Sequence, residues 1–258
     1  MKTLSMNALH TTSCSTRLAR FAPLALLLAA CGSPMDDLTE ADIGSASSGI
    51  HLAGAAPSLG AAAQFAALGA STVTCANSSS VTGDVGVSPG TALTGFGAVC
   101  TLTGARHAGD AIANQAHADL FSAYDALQAA DCEHDLTGQE LGGQTLAPGV
   151  YCFDTTAGLT GALTLDGGGD SDAVWIFQIG TALTTATSAS VKLAGSGGAN
   201  NVFWKVGSSA TLGTGTAFQG NLLALASITL VSGSQLTGRA LALNAAVTLD
   251  HNAVSLPR

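Results

Sequence analysis

Four segments in the C-terminal half, GTALTTAT, GSSATLGTGT, LASITLVSG and NAAVTLDHN, align on Thr184, Thr211, Thr229 and Thr248, at separations of 27, 18 and 19 residues. A repeat of about 18 residues built from short β-type runs matches one coil of a three-sided parallel β-helix, because no single unit can bury its apolar face until the next is stacked on it. The longer first interval contains the turn GSGGANN, residues 195–201, and reads as a coil with an insertion. The fold class expected is therefore mainly β: a parallel β-solenoid of triangular section.

Alternation along a strand assigns directions to these side chains. Leu183, Leu212, Ile228 and Leu249 flank the threonines and should point inward, which turns Thr184, Thr211, Thr229 and Thr248 outward. Two residues earlier, the same side presents Ala182, Ser209, Ser227 and Ala246; two later it presents Ala186, Gly213, Val231 and Asp250. The pattern predicts a column of threonines flanked by small side chains, interrupted at its outer edge by Val231 and Asp250. A second set of runs, VWIFQIG, NVFWKVG, NLLALA and RALALN, is apolar at nearly every position, as in strands buried on both sides. Something must cover them. The one segment with helical periodicity, residues 108–131, carries Ile112, Ala116, Leu120, Ala123, Tyr124 and Leu127 at intervals of three and four, with Asp110 suited to the N-terminal turn. A helix of about 20 residues, roughly 30 Å long, is predicted to lie along the solenoid over the apolar face and leave the threonine face open to water.

Only 10% of the 258 residues are charged and 32 are glycine, while 47% are apolar, so the chain can bury a core and is not disordered. Lys2, Arg17 and Arg20 precede residue 30 and all 17 acidic residues follow it; a chain cut there carries 5 basic residues, a net charge of 5 − 17 = −12. Nucleic acid is excluded as a partner, since phosphate needs Lys and Arg to neutralise it. Residues 1–30 read as an export signal, with an apolar run, Phe21 to Ala30, too short for a span of about 20 residues. The stretch Leu28-Ala29-Ala30-Cys31 resembles the lipobox of bacterial lipoproteins, which implies a lipid anchor in a membrane through acylated Cys31; Gly32 after it favours the outer membrane or cell surface, with simple secretion as the alternative. Residues 31–57, with MDDLTEAD and SASSG, read as a flexible tether, and 58–258 as the folded domain.

Four cysteines, Cys75, Cys100, Cys132 and Cys152, remain in the exported chain, and an even number outside the cytosol suggests two disulfides. Four cysteines allow three connectivities; Cys75–Cys100 with Cys132–Cys152 is favoured because each closes a loop of about one coil. No pair has metal-ligand spacing, and His134 has no partner at such spacing. The run TLDGGGDSDAV holds Asp166, Asp170 and Asp172, which suggest turn residues more than a Ca²⁺ loop. The histidines are dispersed and read as surface or helix residues. No catalytic group, metal or cofactor is expected.

The phrases LGAAAQFAALGAS, TGDVGVSPGTALTGF, LGGQTLAPGVYCF, LTGALTLDG, AVWIFQIGTALTT, NVFWKVGSSATLGTGTAFQGNLLALASITL and LTGRALALNAAVTLD, running from Leu59 to Asp250, resemble the ice-binding proteins with a discontinuous β-solenoid found in cold-adapted microbes. The resemblance, which continues to about Leu256, implies a right-handed β-helix with a long helix beside it and N-terminal coils stacked next to the C-terminal ones. It also carries Thr72 and Thr74 of STVTC onto the threonine face, and it implies a monomer whose partner is an ice crystal surface. The chemistry fits: outward residues about 6.6 Å apart along a strand and rungs about 4.7–4.9 Å apart form a lattice of hydroxyls that anchor water and methyls that cage it. The alternative from another class is a cell-surface adhesion or structural module without ice activity.

Overall fold

The structure, a computed structural model, describes residues 56–258. The expected export signal at 1–30, the lipidated Cys31 and the tether, apart from its last residues Ala56 and Pro57, lie outside the described residues.

Short parallel strands wind into coils with three faces. On the threonine face, strands pair in the order Ala157–Leu159, Leu183–Thr185, Ala210–Leu212, Ile228–Leu230, Val247–Asp250, Thr72–Ala76 and Ala92–Thr94. The second face runs from His134–Asp135 through Gly149–Phe153, Trp175–Ile179, Val202–Val206, residues 221–224, residues 239–242, Phe65–Gly69 and Asp84–Val87 to Arg106–Ala108. The third runs from Thr145–Leu146 through Ala162–Asp166, Ser190–Ala194, residues 217–219, residues 235–237, Ala253–Ser255 and Ser80–Thr82 to Thr101–Thr103. The extra length between Thr184 and Thr211 sits where the sequence placed it, at residues 195–201, between the third and second faces.

Stacking order departs from chain order at one place. Phe65–Gly69 pairs with Gln235–Ala242, and Thr72–Ala76 pairs with Val247–Asp250, so the N-terminal coils continue the stack beyond the C-terminal coil. The chain must then return to the opposite end. Nine rungs on the second face span about 38 Å, eight intervals of about 4.8 Å. Helix α1, Ala111–Gln128, covers about 27 Å of that distance with its 18 residues. Asp110 caps its start, its side chain accepting from Ala113 N at 2.8 Å.

The helix covers the apolar face through Ala116, Leu120, Ala123, Tyr124 and Leu127, which pack with Val150, Ile176, Phe203, Leu223 and Leu241. Two polar residues of that face are absorbed by the helix. Gln178 Nε2 donates to the carbonyls of Leu127 (2.8 Å) and Ala130 (2.6 Å), satisfying acceptors that a helix C-terminus leaves without partners. The Lys205 ammonium lies 5.0 Å from the Tyr124 ring, and burial pushes its pKa down. The Tyr124 hydroxyl donates to Val206 O at 3.2 Å, and burial pushes it up to about 12. Two expectations need correction. Ile112 is 53% exposed and Ala113 is buried in its stead, because at 100° per residue Ala113 lies nearer the centre of the stripe formed by Ala116, Leu120, Ala123, Tyr124 and Leu127, and Ile112 falls at its edge. His107 is buried rather than superficial: it ends the column beneath the helix, with Nδ1 2.8 Å from Asp110 Oδ2, Nε2 3.8 Å from Asp84 and the Phe65 ring against it.

Inside the coils, Tyr151, Phe177, Trp204 and Phe218 stack rung upon rung, with Phe177 and Trp204 centroids 3.9 Å apart. The corners are made by backbone. Between the third and second faces, Ala217–Ala224 and Gln235–Ala242 run through unbroken, bending at Gly220 and Gly238; at Gly238, φ is +156° and a Cβ would lie 1.9 Å from Gly220 O. Between the threonine and third faces, a buried polar ladder of Thr216, Ser234, Asn252 and Ser79 ties successive coils: Asn252 Nδ2 donates to Val231 O and Ser234 Oγ, and Asn252 N to Ser79 Oγ, each at 2.9 Å. Disulfides Cys75–Cys100 and Cys132–Cys152 form as favoured, one near each end of the stack.

Candidate functional surface

Strand register decides which outward side chains become neighbours. On the threonine face, Gly158 pairs with Thr184, Thr184 with Thr211, Thr211 with Thr229, Thr229 with Thr248, Thr248 with Thr74, and Thr74 with Thr94. All four threonines singled out by the repeat therefore stand in one unbroken column, and Thr74 continues it. The flanking rank also assembles. Ser209 and Ser227 are joined by a 3.0 Å hydroxyl contact, with Ala182 and Ala246 on either side of them by continuation of the same registers, and Thr72 pairs with Ala92. The Thr72 hydroxyl donates to Ala92 O at 2.9 Å.

Inward residues lock this surface. Leu183, Leu212, Ile228 and Leu249 are fully buried, as the alternation required. Thr185 is the exception, a buried hydroxyl 2.7 Å from that of Thr216 and accepting from Gly213 N at 2.8 Å. The outward threonines are partly covered by their neighbours: Thr184 and Thr94 are exposed, and the four between them intermediate. Because Thr is stiff at χ1 and every column strand except the edge strand Ala92–Thr94 is pinned on both sides, such a surface is preorganised.

Thr94 was missed by the repeat alignment. A signal for it exists, since the pentapeptide GTALT occurs at 90–94 and again at 180–184. The two copies occupy the same position on the face, five rungs apart.

Two carboxylates border the lattice. Glu140 bridges to Gly158 at one end of the column, and its side chain accepts from Thr160 N at 2.6 Å and Gly142 N at 3.2 Å. It lies over Gly158, where a Cβ would meet Glu140 Oε2 at 3.0 Å. The freely presented column therefore runs through six threonines, from Thr184 to Thr94. Asp250, paired with Ala76 in the rank two residues further on, borders its side.

The acidic run at residues 166–172 is engaged locally. Asp166 accepts from Gly168 N at 3.0 Å and Asp170 from Asp172 N at 2.9 Å, so these carboxylates close their own turns. Among the described residues, no three His, Cys, Asp or Glu side chains converge on a point that could hold a metal. No described helix is long and apolar enough to cross a membrane.

Comparison with known proteins places these features. Residues 67–255 match the model of the family described as ice-binding-like. The ice-binding protein of Nostoc sp. (strain HG1) is 51% identical over 198 residues, covering 76% of this chain and 73% of that protein. The crystal structure of an ice-binding protein from the Antarctic ascomycete Antarctomyces psychrotrophicus is 43% identical, with a TM-score of 0.76 over 79% of this chain and 100% of that one. A third, an ice-binding protein from an Antarctic biological consortium, is 41% identical with a TM-score of 0.77, covering 79% and 92% of the two chains. The parallel solenoid, the helix along its side and the order of its coils are thus shared with solved structures at high identity, and this chain belongs to the ice-binding-like family.

Proposed function

We propose that this protein adsorbs to ice through its threonine face. The observation that carries the reading is the column Thr184, Thr211, Thr229, Thr248, Thr74 and Thr94, in unbroken register across six strands, beside a rank of Ala182, Ser209, Ser227, Ala246, Thr72 and Ala92. Rungs about 4.8 Å apart repeat the same methyl and hydroxyl, so water held by one rung is held similarly by the next. Hydroxyls fix a first layer of water by hydrogen bonds, and methyls leave the water between them bonded only to itself. A layer ordered in this way can merge with a crystal plane. Strongly hydrated ions would oppose that order, and neither rank carries one.

Partition into a slowly growing ice hemisphere, together with thermal hysteresis and recrystallisation assays, tests the reading. Exclusion from ice with no hysteresis up to millimolar concentration would leave an adhesion or structural module as the function.

The localisation reading rests on the leader. Export, removal of residues 1–30 and acylation of Cys31 would hold a monomeric domain at the outer membrane or cell surface. Among the described residues, Gly60–Gln64 lies against the helix, where Ala61 N donates to Asp119 Oδ2 at 2.7 Å. Mass spectrometry of the mature N-terminus tests this: a start at any residue other than Cys31, or a Cys31 without acyl chains, rejects the anchor.

A further inference from the structure

A third outward rank lies beside the two just described. In it Asp250 and Ala76 are paired across neighbouring strands, while Ala186, Gly213 and Val231 follow directly on the strand ends Thr185, Leu212 and Leu230, each two residues beyond a column threonine. Four of the five are small or aliphatic and uncharged; Asp250 alone is ionic. Its Oδ1 accepts from Asn77 Nδ2 at 2.6 Å, and its backbone N–H donates to Asn252 Oδ1. No cation pairs with it among the described residues. The neighbouring His251 ring is engaged at 2.9 Å with Asn77 O. The carboxylate is thus held in place at the rim of the face with its charge uncompensated, one rung from Val231 and one from Ala76.

We propose that Asp250 sets the lateral limit of the ice-adsorbing surface, holding it to two ranks. The inference rests on the ice-binding reading and deepens it. A carboxylate binds its waters strongly and with their hydrogens turned toward it, an arrangement an ice layer cannot share, and desolvating it without a partner is costly. Water over Val231 and Ala76 is therefore recruited into that shell, and the third rank adds no lattice even though its other members are suitable.

Neutralising the charge should open the third rank. Asp250→Asn keeps a carbonyl that accepts from Asn77, and Asp250→Ser provides a smaller neutral alternative should the amide disturb the corner. With the charge removed, hysteresis at equal concentration should rise above that of wild type, with melting temperature unchanged. Asp250→Lys restores a charge of opposite sign and should show no gain. Asn77→Gly, at a residue with φ +50°, removes the tether while retaining the charge and should likewise show none. An active wild type with both neutral variants no better than it overturns this proposal alone, as would a gain in Asp250→Lys. A wild type without hysteresis overturns the ice-binding reading beneath it.

Discussion

Thr229 lies inside the presented column, with Thr184 and Thr211 on one side and Thr248, Thr74 and Thr94 on the other. Six rungs span about 24 Å; a tyrosine at this position leaves contiguous runs of two and three, about 5 and 10 Å long. Its ring projects beyond the neighbouring methyls and holds a crystal plane off both runs. Since no more than three of six rungs stay contiguous, hysteresis should fall to less than about half of wild type, and recrystallisation inhibition with it. The fold should tolerate the change. Thr229 faces outward, and its inward neighbours Ile228 and Leu230 are untouched and fully buried, so the stability cost should stay within about 0.5 kcal/mol. At roughly 2–4 °C per kcal/mol for a domain of this size, that is a melting shift of no more than about 2 °C. Thr211→Tyr should behave alike, and Lys192→Ala, exposed on the third face, should leave activity intact. Nanolitre osmometry and circular dichroism on the same samples decide the matter. Full hysteresis in both tyrosine variants with unchanged melting would place the adsorbing surface on another face.

Three further outcomes are expected. Leu120→Ala empties a fully buried site between helix and sheet and should cost about 2–5 kcal/mol in chemical denaturation; a loss below about 1 kcal/mol would mean that the helix contributes little to stability. Reduction of the disulfides, which span 25 and 20 residues, should cost about 3 kcal/mol each by loop entropy, read as a fall in the denaturation midpoint; an unchanged midpoint with four titratable thiols refutes this. The Asp110 carboxyl is held below its ordinary value of 3.8, first by the Ala113 N–H and then by the His107 side chain, so its contribution is full above that value and lost as pH falls through the lower folded one. Helical circular dichroism should accordingly fray at the acid end, and Asp110→Ala should flatten that dependence.

Much of this architecture was legible in the residues alone. The spacing of Thr184, Thr211, Thr229 and Thr248 gave the coil, alternation gave inward leucines and outward threonines, and doubly apolar runs such as VWIFQIG required a cover that only residues 108–131 could supply. These are local properties, since period and polarity are written in neighbouring residues. Tertiary pairing decided the rest. Thr248 meets Thr74 across 174 residues because the edge of the C-terminal coil and that of the N-terminal coil satisfy each other's backbone groups, an event no local pattern encodes. The same is true of Thr94, which entered the column through its strand's place in the stack, and of Glu140, whose carboxylate lies over Gly158 from 18 residues away. Ile112 and His107 exchanged their expected environments for a related reason: intervals of three and four leave the rotation of the helix on its support open by one residue, and the packing of the helix and of the last rung beneath it decides which side chains are covered.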